Sequence, residues 1–217
     1  MNAAKDCTLQ EKLLRCAMAL ILAAGALLAS VAASPAYAAP STVDVSIGGK
    51  IPYGGFATTW MSADGNIAYC AEPSSPTPAP GSYSTSPVPS GDVTAAIWYS
   101  FGSPGFDASM FPGSWYDGGG WDDAKYAAAS HVLIAYAYSG SESAATHGTS
   151  AEFASWAKSE LIGGTFAKMK AGAGKVSAGF EAFCVRTGGG SQTLVSFSWS
   201  TGGVKVAKTD PEAGAEA

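Results

Sequence analysis

The order of the secondary-structure patterns along the chain constrains its fold more than any other feature. Residues 43–70 and 173–206 show the apolar and polar alternation of half-buried strands, broken by glycine-rich turns. Residues 90–165 between them show the apolar spacing of helices. Strand segments on both sides of a helical segment predict an α+β domain. Its strand core is expected to be a β-sandwich or barrel-like, with residues 90–165 as a helical insertion.

Turn signals in the first strand segment place Cys70 near a strand end. Asp64-Gly65-Asn66 is typical of a hairpin turn, and Cys70 closes the strand that returns from it. Residues 71–90 are rich in proline, which cannot donate a backbone hydrogen bond. We expect them to form a stiff, extended loop outside any central ladder.

Capping signals predict the helix boundaries in the insertion. Apolar spacing predicts a helix over residues 122–138, and Gly140 is expected to end it. Thr149 and Glu152 form a capping-box pattern that opens a further helix. Gly163-Gly164 is expected to stop that helix.

Residues 1–38 are typical of a secretory signal peptide. Basic residues precede an apolar run over residues 17–33, and Ala36-Tyr37-Ala38 provides a small-x-small cleavage site. The run is short and alanine-rich, which favours a cleaved leader over a permanent membrane span. We therefore expect a secreted protein whose mature domain does not insert into a membrane, in a compartment that permits disulfides.

Charge and length narrow the classes of function. The net charge is −5 and no basic patch is visible, so nucleic acid is not expected as a partner. The chain that follows the leader is long enough for one domain with a proper core. Its many aromatic residues argue against disorder.

Two scarce residue types suggest a specific chemistry. After the leader, the only cysteines are Cys70 and Cys184, and the only glutamine is Gln192. The two cysteines could form a disulfide. Alternatively, the Cys70 thiolate and the Gln192 side-chain amide could condense, with loss of ammonia, to an internal thioester. Cys184 lies among apolar residues of a predicted strand and has the pattern of a buried apolar cysteine.

Three short blocks carry this chemistry and a family resemblance. In chain order they are Tyr69-Cys70-Ala71-Glu72, Ser130-His131-Val132-Leu133-Ile134-Ala135-Tyr136 and Ser191-Gln192-Thr193-Leu194-Val195. Their order and spacing resemble the thioester domains of Gram-positive surface adhesins, the TQXA type. In that family a cysteine block, a middle helical block and a late glutamine follow one another. The resemblance covers roughly residues 43–200 and implies a thioester that joins Cys70 to Gln192.

The middle block departs from the common family pattern. His131 stands where glutamine is usual, and Tyr136 lies near the position of the usual tryptophan. The resemblance implies that the middle residue supports the site, so His131 takes a supporting role. His131 or Glu72, the neighbour of Cys70, could move protons while the thioester forms. Neither a metal nor a cofactor is implied.

The resemblance also implies a function. A thioester is a good acyl donor because sulfur donates electrons poorly into the carbonyl. A lysine amine on a host or neighbouring-cell surface protein could attack it and form a permanent amide. We therefore expect a cell-surface or pilus-tip adhesin domain that acts by single-turnover covalent capture and is not an enzyme. By analogy with disulfide loop closure, the bond would also stabilise the fold by about 4–5 kcal/mol.

The end of the chain carries a second, shorter resemblance. Residues 203–210 resemble the first strand of the immunoglobulin-like B-type repeats that form adhesin stalks. Residues 201–217 are therefore predicted to be a linker or a truncated first stalk strand. Further stalk domains of a full-length protein would then be partners of this domain.

Two alternative functions remain open at this point. The first is a secreted cysteine hydrolase in which Cys70 is the nucleophile and His131 the base. Neither residue lies in a known peptidase signature. The second is a non-covalent binding module stabilised by a disulfide between Cys70 and Cys184.

Overall fold

The computed structural model describes residues 38–200, which form an α+β domain around a closed barrel. Its six antiparallel strands follow the order β1-β2-β3-β6-β5-β4, and β4 pairs with β1 to close the barrel. The strands are β1 (Thr42–Tyr53), β2 (Phe56–Ala63), β3 (Asn66–Cys70), β4 (Gly81–Pro87), β5 (Phe180–Arg186) and β6 (Leu194–Trp199). The predicted fold class is confirmed. The signal peptide and stalk predictions concern residues outside the described range.

The helices lie between β4 and β5, as predicted. They are α1 (Gly91–Tyr99), α2 (Asp123–Ser139), α3 (Glu142–Ala145), α4 (Ala151–Trp156) and α5 (Ala167–Ala171). A π-helical segment, Ala157–Phe166, joins α4 to α5 without interruption. Short 3₁₀ turns at Ala108–Met110 and Ala173–Lys175 complete the insertion.

The boundaries predicted for α2 are confirmed by its caps. The Asp122 carboxylate accepts the Lys125 N–H at 2.9 Å, which satisfies a donor of the first turn. Gly140 ends the helix with φ 68°, a left-handed conformation that glycine adopts without strain. The middle of α2 is buried and contacts β1 and β3. This packing places His131 against the barrel.

The expectation that residues 71–90 stay outside the ladder is wrong. Strand β4 lies in this segment and pairs with β1 through residues 81–84 and with β5 through residues 84–87. Pro80 precedes the strand and Pro87 is its last residue. Because residues 81–86 contain no proline, they keep the N–H donors that both ladders require.

Two predictions about the helix after α3 are also wrong. The N-cap of α4 is Ser150 and not Thr149, because the Ser150 hydroxyl accepts the Phe153 N–H at 3.2 Å. Gly163-Gly164 does not stop the helix but lies inside the π-helical segment. An interior glycine costs only about 1 kcal/mol relative to alanine. Burial of neighbouring apolar side chains on the same segment, including Leu161, offsets that cost.

The core consists of two clusters on opposite faces of the sheet. The buried members of the smaller cluster all come from strands, as expected of a barrel interior, and include Cys70 and Leu194. The larger cluster joins the outer face of the sheet to the helices and includes Cys184 and Val195. Neighbouring residues of β6 therefore face different clusters, as the alternation of side chains along a strand requires.

Candidate functional site

The pairing of β3 with β6 brings Cys70 and Gln192 together. Cys70 lies opposite Leu194, and the Ala71 N–H donates to the Thr193 carbonyl at 2.9 Å. This register places Gln192, in the turn before β6, beside the end of β3. Both side chains are buried, each at 3% exposure. The Gln192 side chain is within hydrogen-bonding reach of the Cys70 sulfur.

Cys70 is held as a thiol by its surroundings. Burial raises the pKa of the thiol to about 12, although hydrogen bonds from Thr58, from Gln192 and from the Cys70 backbone oppose that rise. The Thr58 hydroxyl oxygen lies 3.8 Å from the sulfur. A thiol with this pKa attacks a carbonyl only if its proton leaves during the attack.

Gln192 is fixed by contacts with a neighbouring loop. Its backbone N–H donates to the Pro76 carbonyl at 3.0 Å, and its side-chain Nε2 donates to the Thr77 hydroxyl at 3.4 Å. Its backbone carbonyl accepts the Thr187 hydroxyl at 2.7 Å. The side-chain Oε1 is buried and has no hydrogen-bond partner among the described residues. An unsatisfied buried acceptor costs roughly 1–3 kcal/mol.

Glu72 lies at the site but contacts the backbone beside Gln192. Its carboxylate Oε2 accepts the Thr193 N–H at 2.9 Å. The side chain is half-buried. This bond joins the segment that carries Gln192 to the end of β3, so Glu72 contributes to the alignment of Cys70 with Gln192.

His131 contacts the hydroxyl of Tyr53. Its Nδ1 lies 3.0 Å from the Tyr53 hydroxyl, while its Nε2 is buried without a partner in the described part of the chain. Burial lowers the pKa of His131 to about 4, so the imidazole is neutral at neutral pH. Burial also raises the pKa of Tyr53, and the nearby charge of a Cys70 thiolate raises it further. The Tyr53 hydroxyl is therefore a neutral group that contacts His131.

A glycine next to Tyr53 fixes this arrangement. Gly54 has φ 53°, and a Cβ atom there would lie 2.4 Å from Cγ of Phe153. The Gly54 carbonyl accepts the Ser150 N–H at 2.6 Å. Because Gly54 packs closely against Phe153 and bonds Ser150, the β1–β2 hairpin is fixed against the start of α4. Tyr53, next to Gly54, is thereby held beside His131.

The alternative of a disulfide between Cys70 and Cys184 is contradicted by the structure. Both cysteines are free. They belong to β3 and β5, which lie on either side of β6, so their backbones are about 9–10 Å apart. A disulfide requires Cα atoms closer than about 7 Å. Their partners Leu194 and Val195 are adjacent in β6, so the two side chains point to opposite faces. Cys184 is 1% exposed, which confirms the buried apolar interpretation.

The hydrolase alternative receives no support from the geometry. His131 hydrogen-bonds Tyr53 and not Cys70, so no direct nucleophile–base pair forms.

Over residues 38–200, no group of three or more His, Cys, Asp or Glu side chains is arranged to hold a metal ion. Within the same range, no helix is both long and apolar enough to cross a membrane.

The sequence patterns missed three residues of the site. Tyr53, Thr58 and Thr77 lie outside the three blocks, and nothing in their local sequence distinguishes them from ordinary strand or loop residues. Tyr53 follows a bulge in β1 between Ile47 and Lys50, which shifts the register of its side chain. The only sequence pattern near Tyr53 is the glycine pair Gly54-Gly55, which indicates a hairpin turn.

Comparison with known proteins identifies a matching family. The family described as thioester domain matches residues 42–164, which is more than half of the chain. The matched segment contains Cys70, Glu72 and His131 and ends before Gln192. No curated protein and no solved structure matches the chain.

Proposed function

The chain belongs to the thioester domain family, and we propose that its thioester joins Cys70 to Gln192 and captures an amine on another protein. One observation carries the assignment of the two residues. Cys70 and Gln192 meet at the β3–β6 pairing, each at 3% exposure, with the amide within hydrogen-bonding reach of the sulfur. Two reacting groups held in contact lose little further entropy on reaching the transition state.

The bond forms without any other reactant. The Cys70 sulfur attacks the side-chain carbonyl carbon of Gln192, and the bond from that carbon to Nε2 breaks. The nitrogen departs as ammonia and takes the proton that the thiol gives up. Because the thiol pKa is raised to about 12, the proton must move during the attack and not before it. We assign the neutral His131 a supporting role in which it fixes the Tyr53 hydroxyl and does not itself take the proton.

Burial of the site favours the product. The resting amide has an unsatisfied Oε1, and a thioester carbonyl is a weaker hydrogen-bond acceptor than an amide carbonyl. Conversion therefore reduces the penalty of leaving this oxygen unpaired. The same burial keeps water away from the activated bond and slows its hydrolysis.

Capture reverses the chemistry with a different amine. A partner amine attacks the thioester carbon, the bond to sulfur breaks, and the proton of the amine goes to Cys70. A stable amide then links Gln192 to the partner, and each domain reacts once. We assign the amine to a lysine of a host or neighbouring-cell surface protein, which is the nucleophile that a surface adhesin meets.

The location and domain limits belong to the same proposal. Residues 1–38 serve as a signal peptide for secretion, residues 43–200 form the thioester domain, and residues 201–217 lead towards a stalk. The leader pattern at the N-terminus and the family match support an adhesin at the surface of a Gram-positive cell.

The intact mass of the purified mature domain tests the proposal. Loss of ammonia lowers the mass by about 17 Da, and methylamine then adds about 31 Da. Cys70→Ala and Gln192→Ala should abolish both changes, while the control Cys184→Ala should keep both. An unchanged mass with two free thiols in fresh wild-type protein would overturn the assignment.

A further inference from the structure

Two threonine hydroxyls contact the two reacting ends of the proposed pair. Thr58 Oγ1 lies 3.8 Å from the sulfur of Cys70, and Thr77 Oγ1 lies 3.4 Å from Nε2 of Gln192. Thr58 is buried at 7% exposure, whereas Thr77 is exposed on the loop after β3. The nitrogen of the acyl donor is therefore the reacting atom that lies next to the surface.

We propose that Thr77 is a catalytic residue that contacts the nitrogen in both directions of the chemistry. Its hydroxyl contacts the ammonia that leaves when the thioester forms and the amine of the partner that arrives at capture. The partner amine therefore reaches Gln192 across the exposed residues Pro76 and Thr77. This inference rests on the proposed thioester between Cys70 and Gln192.

The hydroxyl suits the change that occurs at the nitrogen. In the resting amide the nitrogen lone pair is delocalised, so Nε2 only donates, and Thr77 Oγ1 accepts. After the sulfur adds to the carbon, the nitrogen is no longer conjugated and has a basic lone pair. A hydroxyl can rotate and donate its own hydrogen to that lone pair, because it is both donor and acceptor. The hydroxyl gives that hydrogen to the nitrogen and receives the former thiol proton on Oγ1 in exchange. The Sγ–Cδ bond then stays, the Cδ–Nε2 bond breaks, and ammonia leaves.

The same geometry fixes where the partner amine arrives. Capture is the reverse of formation, with an alkyl group in place of one hydrogen of ammonia. Microscopic reversibility therefore places the incoming nitrogen where Nε2 lay, beside Thr77. There the hydroxyl accepts an N–H of the neutral amine and orients its lone pair towards the carbon, and the released proton ends on Cys70.

The surroundings also select the class of amine. Gln192 and Cys70 are each 3% exposed, whereas Pro76 and Thr77 are both exposed and contact Gln192 directly. A carbon buried beneath these loop residues is reached more readily by a slender group than by a bulky one. We therefore expect an unbranched primary amine, such as a lysine side chain, to react faster than a secondary or branched amine.

Substitutions at position 77 distinguish the effect of the Thr77 hydroxyl from the effect of the side-chain shape. Thr77→Val keeps the shape without the hydroxyl, Thr77→Ser keeps the hydroxyl, and Ser74→Ala alters an exposed residue of the same loop as a control. The measurement is the second-order rate of methylamine incorporation into the preformed thioester, followed by intact mass. We expect Thr77→Val to react roughly tenfold more slowly, which corresponds to the loss of one hydrogen bond in the transition state. Thr77→Ser and Ser74→Ala should stay close to wild type, with unchanged melting temperatures.

Each result supports or overturns the inference. If wild type carries the thioester and Thr77→Val reacts as fast as wild type, the role of Thr77 is wrong while the thioester stands. Equal slowing in Thr77→Ser and Thr77→Val would also overturn it, because the hydroxyl would then not matter. Isopropylamine and dimethylamine reacting with wild type as fast as methylamine would overturn the proposed selectivity. A wild-type protein without the mass loss would overturn the thioester itself and this inference with it.

Discussion

The Tyr53 hydroxyl lies 3.0 Å from Nδ1 of His131, and both side chains are almost completely buried. Nε2 of His131 has no partner among the described residues. A proton on Nδ1 leaves only a lone pair unsatisfied, whereas a proton on Nε2 would leave a buried donor unsatisfied. We infer that Nδ1 donates to the Tyr53 hydroxyl oxygen, so that the hydrogen of Tyr53 is not bonded to His131. In the proposed function, His131 would thus support the pair Cys70 and Gln192 by fixing Tyr53.

Removal of the Tyr53 hydroxyl tests this connection. Tyr53→Phe leaves Nδ1 of His131 without a partner, so we expect a loss of about 1–3 kcal/mol in the free energy of unfolding. We also expect the thioester to form more slowly in newly synthesised protein, as followed by intact mass at intervals after cell-free translation. Tyr83→Phe is the control, because the Tyr83 hydroxyl donates to the Ala79 carbonyl at an exposed position. Equal rates of thioester formation in wild type and Tyr53→Phe would contradict the connection.

The buried imidazole predicts a specific pH dependence of stability. The pKa of His131 is lowered to about 4 in the folded protein, whereas an unfolded histidine titrates near pH 6.5. Its contribution is therefore fully present above about pH 6.5, is lost as the pH falls and is gone below about pH 4. The total loss is roughly 3 kcal/mol.

Urea unfolding between pH 4 and pH 7 checks this dependence. His131→Gln should flatten the curve in that window, although its stability at pH 7 is lower. His147→Gln should keep the wild-type slope, because His147 is exposed. A slope unchanged by His131→Gln would show that the decline comes from carboxylates alone.

Substitutions of Glu72 test whether its carboxylate transfers a proton or aligns the backbone beside Gln192. Because its Oε2 accepts the Thr193 N–H at 2.9 Å, the amide oxygen of Glu72→Gln can take over the bond. We expect Glu72→Gln to form the thioester nearly as completely as wild type, and Glu72→Ala to show a smaller modified fraction by intact mass. If Glu72→Gln fails as severely as Glu72→Ala, the carboxylate moves a proton.

The second free cysteine should be dispensable for the chemistry. Cys184 faces the cluster between the barrel and the helices, away from Cys70. Cys184→Ala removes a small buried group, and we expect a stability loss of about 1 kcal/mol with the mass loss of wild type unchanged. Loss of the mass change in this variant would place Cys184 in the reaction.

The parts of the fold that could be predicted from the sequence depend on local signals. Asp122 and Gly140 mark the ends of α2 because capping and the left-handed turn are properties of short segments. Strand β4 was missed because its pairing with β1 and β5 is set by partners far away in the chain. The helix was predicted to stop at Gly163-Gly164 because local propensity says nothing of the packing that carries it onwards.

The candidate site divides in the same way. Cys70 and Gln192 stood out because their residue types are scarce, and His131 because it lies in a periodic helix. Thr58 and Thr77 are common residue types whose roles follow only from their distances to the sulfur and to Nε2. The position of the Tyr53 side chain depends on the register shift at the bulge in β1, and no sequence pattern predicted that bulge.

The position of Gln192 directly before β6 has a mechanical consequence. In the proposed covalent complex the partner is attached at Gln192, and a stalk would continue beyond residue 200. A pull between the two would pass along residues 193–200. Most of the barrel and all helices in the described part of the chain would lie outside the line of force. The rest of the domain could then unfold under tension without breaking the link, because the load is carried by one short stretch of backbone and its amide.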